Sequence, residues 1–245
     1  MNKLFYFLII IFIIIIISKI NFKKNKELKI MKSKKKIFLP GPSFISLDKY
    51  KLEEKILFDN KNIILNDLNK LLNNNQEWSI WDYSNNPEDK DNFSKLSSKQ
   101  IIERLNKNKK NPKKLENTWT VFGLILNGKI ITQKRKLLNN TLNIINKIPN
   151  VVNAGFSCLT PNSSTEVHNE IDKGFYRIHL PLIIPEGDCA IQVQNEIRKW
   201  YDCKTIMILD DTKWHNAWNY TKYSRYILIV DVKKNKIKKN LVIIK

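Results

Sequence analysis

Residues 176–184 read Y-R-I-H-L-P-L-I-I and alternate in the way that is typical of a β-strand. One face of this predicted strand is uniformly apolar or aromatic and carries Tyr176, Ile178, Leu180 and Leu182. The other face carries Arg177 and His179, followed by Pro181 and Ile183. The stretch therefore predicts a strand that presents an arginine and a histidine together on one side.

The three histidines of the chain lie close together in the sequence. His168, His179 and His215 all fall between residues 155 and 232, in a part that is rich in apolar and β-branched residues. His168 opens the motif V-H-N-E, so Glu170 follows it after one residue. A cluster of this kind in a chain with three histidines indicates a site rather than scatter.

A His-x-Glu pair, a distant histidine and an arginine on a strand are the parts of a non-haem iron oxygenase site. Residues i and i+2 of a strand point the same way, so His168 and Glu170 are expected on one side. Two imidazoles and one carboxylate hold Fe(II) and leave positions for a chelating cosubstrate and O₂. Arg225, in R-Y-I-L-I-V-D-V, offers a planar fork for a carboxylate. A lone histidine on a strand is more often a core residue, and only the whole set indicates this chemistry.

Residues 156–232, about a third of the chain, resemble the catalytic domain of the aspartyl/asparaginyl β-hydroxylases, which are Fe(II)- and 2-oxoglutarate-dependent dioxygenases. The matching segments are F-S-C-L-T-P from Phe156, V-H at His168, Y-R-I-H-L-P-L-I-I-P from Tyr176, N-E-x-x-x-W ending at Trp200, D-D-x-x-x-H-x-x-W ending at Trp218, and R-Y-I-L-I-V-D-V from Arg225. A weaker similarity extends upstream to Trp119. The family fold is a double-stranded β-helix, or jelly roll.

The resemblance implies a role for each residue of the predicted site. It implies His168 and His215 as iron ligands, and Arg225 as the anchor of the distal carboxylate of 2-oxoglutarate. It implies three further contacts to this cosubstrate: Ser157, Arg177 and His179. The implied cofactors are thus Fe(II), 2-oxoglutarate and O₂, and the implied reaction hydroxylates an unactivated C–H bond.

Position 170 departs from the pattern of the animal members of this family. These protein hydroxylases lack a carboxylate ligand and use two histidines, whereas bacterial relatives that act on lipid A carry His-x-Asp. Here the position holds Glu170, with Asp172 close behind. We expect Glu170 to be the third iron ligand, because strand alternation places it on the side of His168. Asp172 is the alternative carboxylate.

Three functions remain open at this point. The first is hydroxylation at the β-carbon of an Asp or Asn side chain in a protein substrate. The second is hydroxylation of an acyl chain on a membrane lipid, which the His-x-carboxylate pair and an apolar N-terminus favour. The third is a non-catalytic, membrane-tethered module that binds a metal or a partner. All three histidines and both strand arginines are present, which argues against the third.

The apolar N-terminus predicts attachment to a membrane. Residues 4–17 are continuously apolar, and no Ala-x-Ala-like cleavage site follows, so we expect an uncleaved single-pass anchor over residues 1–22 rather than a signal peptide. Lysines are concentrated after this run, which favours a cytosolic catalytic domain. Animal members of the family face the lumen of the endoplasmic reticulum instead, so the side of the membrane stays open.

The charge of the chain does not indicate nucleic acid as a partner. The formal net charge is +20, but the basic residues are mostly lysines spread among Asn and Ile, and no nucleic-acid-binding motif is present. Affinity for an anionic lipid surface agrees better with lysines near the anchor. The three cysteines show neither a CxxC spacing nor an even number, so no disulfide framework or zinc site is expected.

The rest of the chain predicts a mainly β fold with flanking helices. A Lys-rich linker over residues 23–37 precedes a helical preface at 38–115, a jelly-roll core at 116–235 and a basic and apolar tail at 236–245. Helical periodicity covers Leu52–Leu72, with Asn66 and Asp67 interrupting its centre. Asn127-Gly128 predicts a β-hairpin. Trp78 and Trp81 are expected in the core, with a substrate cleft as the alternative.

Overall fold

The computed structural model describes residues 41–81, 97–106, 109–170 and 174–234. The predicted anchor (1–22), linker (23–37) and tail (236–245) lie outside these residues, and so does Asp172. No helix in the described part is long and apolar enough to cross a membrane.

The described strands form two antiparallel sheets. In chain order they are β1 (Trp78–Ile80), β2 (Lys109–Lys110), β3 (Trp119–Leu126), β4 (Lys129–Ile130), β5 (Val151–Leu159), β6 (Ser163–Ser164), β7 (Phe175–Ile183), β8 (Cys189–Val193), β9 (Glu196–Lys199), β10 (Met207–Leu209), β11 (His215–Asn219) and β12 (Arg225–Lys233). The large sheet has the order β10-β7-β12-β5-β3-β1-β2, with β4 paired to β3. The small sheet has the order β6-β11-β8-β9.

Four α-helices in the described residues accompany these sheets. They are α1 (Lys51–Asp59), α2 (Lys61–Asn73), α3 (Ser98–Asn106) and α4 (Arg135–Ile145), with single 3-10 turns at Leu47–Lys49 and Pro112–Lys114. The predicted mainly β architecture with flanking helices is therefore confirmed, and two facing antiparallel sheets fit a jelly roll. The segment predicted as a helical preface also supplies two strands, β1 and β2, to the large sheet.

The large sheet is covered on both faces. The residues that its central strands turn toward the helices are buried and apolar: Ile178, Leu180, Leu182, Leu228 and Val230. They pack against leucines and isoleucines of α1, α2 and α4. A second apolar cluster lies between the two sheets, where Leu209 and Ile227 of the large sheet meet Ile191 and Val193 of the small one. The alternation predicted for residues 176–184 is thus confirmed, because its apolar face lies against the helices.

The hairpin predicted at Asn127-Gly128 is confirmed. β3 and β4 pair in an antiparallel register with Leu126 opposite Lys129. Asn127 and Gly128 have φ angles of 50° and 74°. Positive φ at both central residues is the requirement of the two-residue turn that joins twisted strands.

The interruption predicted at Asn66 and Asp67 is wrong. The helical segment breaks at Asn60 instead, between α1 and α2, and Asp67 lies inside α2. The side chain of Asp67 is fully buried, and it accepts hydrogen bonds from the backbone N–H and the hydroxyl of Thr141 in α4, at 2.9 and 3.0 Å. Lys70 also contacts it at 2.8 Å. A polar residue that looks like a helix breaker in the sequence is here a link between two helices.

We expect Asp67→Ala to lower the free energy of unfolding by about 1–3 kcal/mol, because the donors of Thr141 then lose their buried acceptor. Asp59→Ala is the matched control, since Asp59 is an exposed helix residue whose partner is the exposed Lys55. Urea unfolding of both variants measures the difference. Equal stability of the two variants would show that the Asp67 contact contributes nothing.

Candidate functional site

His168 and His215 are held side by side by the backbone. The two residues form an antiparallel bridge in which each N–H donates to the other carbonyl, at 3.0 and 2.8 Å. Their ring centroids lie 4.2 Å apart. His215 begins β11 of the small sheet, whereas His168 lies in the segment between β6 and β7. The structure thus brings together the two histidines predicted as metal ligands.

Each of these rings is oriented by a backbone carbonyl. Nδ1 of His168 lies 2.7 Å from the carbonyl oxygen of Glu166, and Nδ1 of His215 lies 2.8 Å from that of Lys213. A ring that donates from Nδ1 carries its lone pair on Nε2, the nitrogen with which it then binds a metal ion. Burial lowers the pKa of His168, and it lowers that of His215 well below its usual range. Both rings are therefore held in the neutral, ligating form.

Glu170 does not join the two histidines in a cluster. Its N–H donates to the carbonyl of Asp211 at 2.9 Å. A regular ladder through the His168–His215 pair would place Lys213 opposite Glu170, so the alternation on which the prediction rested ends near His168. Within the described ranges, no three His, Cys, Asp or Glu side chains form a group that could hold a metal. The ligand role of Glu170 stays a prediction, which the geometry supports less than it supports the histidine pair.

The other predicted site residues line one cavity with the two histidines. Ser157 and Arg225 lie on β5 and β12, and Arg177 and His179 lie on β7. All four border the cavity that His168 and His215 also line. We call this space the metal cavity, after the metal site that the sequence predicts here. Its remaining walls are Trp119, Thr165, Ile191, Trp200, Leu209, Ala217, Ile227 and Ile229.

Arg225 is a buried cation without a carboxylate partner among the described residues. Only 2% of its surface is exposed, and burial lowers its pKa to about 10. Nη1 lies 3.4 Å from the hydroxyl and 3.5 Å from the carbonyl of Ser157, while Nε has no hydrogen bond. The guanidinium carbon lies 4.5 Å from the ring centroid of Trp200. A buried guanidinium in this state is a site for an anion that comes from outside the chain.

Tryptophans fix the polar neighbours of Arg225. The indole N–H of Trp200 donates to Nδ1 of His179 at 3.3 Å, and that of Trp119 donates to the hydroxyl of Ser157 at 3.0 Å. Because Nδ1 of His179 accepts, its proton lies on Nε2. Burial, followed by the charge of Arg225, lowers the pKa of His179 well below its usual range. His179 is therefore a neutral hydrogen-bond donor in the wall of the metal cavity.

Arg177 differs from Arg225 because its charge is already compensated. Nε and Nη2 donate to the two carboxylate oxygens of Asp231 at 2.8 and 3.0 Å. Nη1 lies 3.3 Å from Oδ2 of Asp211, at an angle that makes no hydrogen bond. Burial raises the pKa of Asp211 to about 7, against the opposing charge of Arg177. The predicted contact of Arg177 with a cosubstrate stays a prediction, and the geometry favours Arg225 for it.

A second cavity, of 160 Å³, adjoins the metal cavity. Trp119, Arg177 and Ile229 line both spaces. The second space also has walls of Trp81, Ile101, Val121, Gly123, Ile125, Leu126, Ile131, Asn153, Ala154, Glu170, Phe175, Asp211 and Asp231. We call it the apolar cavity, after its aliphatic and aromatic majority. The expectation that Trp78 and Trp81 lie in the core is confirmed for Trp78, which is fully buried, and is wrong for Trp81, which is half-buried and lines this cavity.

Several residues of the site have roles that the sequence did not reveal. In the sequence, Trp119 marked only the upstream limit of the family resemblance. Trp200, Asp211 and Asp231 appeared only as members of matching motifs, without an assigned role. The structure shows that each contacts a predicted site residue. Asp231 lies on β12 directly opposite Arg177 on β7. The sequence alone does not show which residues face each other across paired strands.

The chain is similar in sequence to known proteins. The family model described as Aspartyl/Asparaginyl beta-hydroxylase matches residues 59–235, which is more than half of the chain. The chain is 36% identical over 115 residues to the ornithine lipid ester-linked acyl 2-hydroxylase of Rhizobium tropici, covering 46% of this chain and 41% of that protein. It is 29% identical over 119 residues to the aspartyl/asparaginyl beta-hydroxylase of Homo sapiens, covering 46% of this chain and 16% of that protein.

The chain thus spans less than half the length of these two relatives. Among solved structures, it is similar to a 2OG-Fe(II) oxygenase family oxidoreductase from Burkholderia pseudomallei, with 9% identity and a TM-score of 0.34. That alignment covers 47% of this chain and 68% of the other.

We expect His215→Ala to abolish Fe(II) binding, because no neighbouring side chain in the described ranges replaces its Nε2. Glu170→Ala should weaken the binding less, since the ladder shifts at this residue. Anaerobic titration with Fe(II) measures both affinities, and Asp172→Ala, titrated beside them, tests the alternative carboxylate. A loss in Glu170→Ala as severe as that in His215→Ala would establish Glu170 as the third ligand.

Proposed function

The chain belongs to the aspartyl/asparaginyl beta-hydroxylase family, and we propose that it is an Fe(II)- and 2-oxoglutarate-dependent hydroxylase. The observation that carries this proposal is the buried guanidinium of Arg225, which has no carboxylate partner in the described chain. Burying a cation is costly unless an anion joins it. The distal carboxylate of 2-oxoglutarate is an anion of the required shape, since it accepts two parallel bonds from a guanidinium.

The donor set at the mouth of the metal cavity fits Fe(II). His168 and His215 offer two neutral imidazoles from adjacent backbone positions, with both Nδ1 atoms engaged by carbonyls. Imidazole is a ligand that iron accepts readily, and two ligands leave positions for a chelating cosubstrate. Glu170 would complete a set of two histidines and one carboxylate if its side chain turned toward them, which is the role tested above.

When bound, iron, 2-oxoglutarate and O₂ supply an oxidative decarboxylation that inserts one oxygen atom into a C–H bond of the substrate. The residues of the chain bind these groups and orient them. Arg225 would hold the far carboxylate of the cosubstrate, with Trp200 stacked on its guanidinium. Ser157 and His179 would donate hydrogen bonds from two neighbouring walls. Aliphatic side chains such as Ile191 and Ile227 keep water out of the same space, which strengthens each polar contact.

A protein-borne Asp or Asn side chain is the first candidate substrate. The family is described by this chemistry, and the human relative carries the same description. In this reading, the β-carbon of the side chain would lie beside the metal cavity, and the peptide backbone would stay near its entrance. Arg177 and the carboxylates around it line the adjoining apolar cavity, where they would contact a side chain of the substrate.

An acyl chain is the second candidate substrate, and the apolar cavity favours it. Most of the residues that line the apolar cavity, which adjoins the metal cavity, are aliphatic or aromatic. The single arginine there is already paired with Asp231, and Glu170 and Asp211 add further carboxylates. Such surroundings disfavour an anionic aspartate and accept methylene groups. The relative from Rhizobium tropici is described as an acyl hydroxylase.

We also propose that residues 1–22 attach the enzyme to a membrane by a single pass. The continuous apolar run over residues 4–17 motivates this proposal, and the side of the membrane that the catalytic domain faces is open. Nucleic acid is not proposed as a partner. Extraction of membranes with alkaline carbonate tests the attachment, because an integral protein stays in the pellet. Release of the full chain into the supernatant would contradict it.

The test of the activity is succinate formation coupled to substrate hydroxylation. The full chain with Fe(II), ascorbate and 2-oxoglutarate is incubated with Asp- and Asn-containing peptides in one arm and with acylated lipids in the other. We expect the substrate of one arm to gain one oxygen atom, with an equal amount of succinate and CO₂ formed from 2-oxoglutarate, and mass spectrometry identifies which arm. Absence of succinate in both arms, with Fe(II) bound, would overturn the proposal.

We expect Arg225→Lys to raise the KM for 2-oxoglutarate at least tenfold while Fe(II) affinity stays unchanged. Lysine keeps the charge but loses the second parallel bond, a difference of about 1.5–3 kcal/mol. Arg198→Lys is the matched control, because Arg198 lies exposed on β9 and contacts Glu196 and Phe44. An unchanged KM together with lost Fe(II) binding would show that the role of Arg225 is wrongly assigned.

A further inference from the structure

Lys213 is a buried lysine in the segment that leads to His215. Only 2% of its surface is exposed. Its ammonium group donates to the carbonyl oxygens of Gly41 and Pro42, to the second at 2.7 Å. Burying a cation is costly unless polar groups replace the water that it loses. The two carbonyls supply this replacement, so the buried position of Lys213 depends on residues 41 and 42.

Residues 41–45, which we call the N-terminal strap, lie along the β10 edge of the large sheet. Phe44 forms an antiparallel bridge with Leu209, and the N–H of Ile45 donates to the carbonyl of Ile208 at 2.8 Å. Phe44 is 4% exposed and belongs to the apolar cluster between the two sheets. Leu209 is in the same cluster and also lines the metal cavity. The strap therefore packs directly behind one wall of that cavity.

The main chain of Lys213 orients the ring of His215. Its carbonyl oxygen lies 2.8 Å from Nδ1 of His215, the contact that leaves Nε2 free for a metal ion. Its N–H donates to the carbonyl of Asp210 at 3.2 Å, which makes a short turn of this segment. Lys213 thus binds the strap with its side chain and orients His215 with its carbonyl group.

The charge of Lys213 is unfavourable for a metal site. A positive charge two residues from a metal ligand repels a divalent ion, and the repulsion is stronger where water is excluded. A methionine of the same length would fill the space without this cost. The contacts with the strap give the charge a different purpose, because an ammonium group can bind two carbonyl oxygens and a thioether cannot.

Gly41 gives the strap the backbone conformation in which this contact forms. Its φ angle is 95°, which residues with a Cβ atom rarely adopt. A Cβ at this position would lie 3.7 Å from Nζ of Lys213, which is an ordinary contact distance. Alanine is therefore disfavoured here by the backbone and not by lack of space. Gly41→Ala disturbs the strap side of the contact and leaves Lys213 in place.

We propose that Lys213 is a positioning residue of the metal site and couples the N-terminal strap to the ring of His215. The proposal rests on the iron site proposed above. The coupling acts in both directions, as linkage requires. An ordered strap holds the segment between Asp210 and His215 in the geometry that binds the metal ion, and a bound ion stabilises the strap.

The first test is anaerobic titration of the full chain with Fe(II). Lys213→Met should raise the Kd about tenfold, the lower end of the ~10–100-fold cost of losing a group that supports a metal ligand. Loss of a repelling charge alone would lower the Kd, so the direction of the change separates positioning from charge. Gly41→Ala should also raise the Kd. The double variant should bind no more weakly than the more severe single variant, because both changes break one contact.

Two matched controls accompany these variants. Lys199→Met removes an exposed lysine from β9, and Gly128→Ala places alanine at an exposed glycine whose φ angle is also positive, in the β3–β4 hairpin. Neither control should change the Kd for Fe(II). The absorption maxima of bound Co(II), which respond to the arrangement of its ligands, should shift in Lys213→Met and Gly41→Ala but in neither control. Lower stability alone would not shift the spectrum of folded protein at saturating Co(II).

Hydrogen exchange at the amide of Ile45 measures the strap itself. We expect faster exchange in Lys213→Met than in the native chain, and slower exchange in the native chain when Co(II) is bound. An unchanged Fe(II) Kd in both variants, or unshifted Co(II) spectra, would overturn the coupling and leave the iron site intact. A native chain that binds neither ion would overturn the iron site and the coupling together.

Discussion

Burial of both faces of the central strands β7 and β12 is the constraint on which the rest of the structure depends. Side chains alternate along a strand, so a strand that packs helices on one face must place every second residue on the other. Here the first set is apolar or aromatic, and the second contains Arg177, His179 and Arg225. The helices thus supply the apolar burial that holds the large sheet in place. The small sheet then closes over the polar set and converts it into a cavity.

The two arginines of that set show how one residue type serves two purposes. Arg177 is bonded to Asp231 across the β7–β12 pair and contacts Asp211 in the segment that leads to His215. The positive charge of Arg177 is neutralised by carboxylates of the same chain. Arg177 thereby links the large sheet to the segment that leads to His215. Arg225 has no such partner in the described part of the chain. Its burial is costly without an anion from outside the chain, and this cost is what supports the proposed binding of an acidic cosubstrate at Arg225.

The sequence predicted much of this arrangement because the information was local or periodic. The alternation of residues 176–184 and the hairpin at Asn127-Gly128 follow from strand periodicity and turn chemistry, whereas the family resemblance implied that His168 and His215 lie together. The break at Asn60 and the burial of Asp67 did not follow, because the partner of Asp67 is Thr141 on a helix that is remote in sequence. The expected alignment of Glu170 with His168 rested on continued alternation, and the backbone changes its pairing there. Pairing across elements, rather than residue type, decides each of these cases.

The reciprocal backbone bonds between His168 and His215 have a consequence for how the proposed iron site would acquire its metal. The segments that carry the two rings are joined by main-chain groups that do not involve the imidazoles, so their separation is set by the fold and not by the ion. The conformational entropy of bringing two distant parts of the chain together is therefore spent during folding. In the proposed iron site, an ion that arrived afterwards would meet a preorganised chelate, and its loss would leave the chelate assembled for the next one. Reloading of that site with iron after oxidation or chelation would then be a reversible equilibrium of the folded protein.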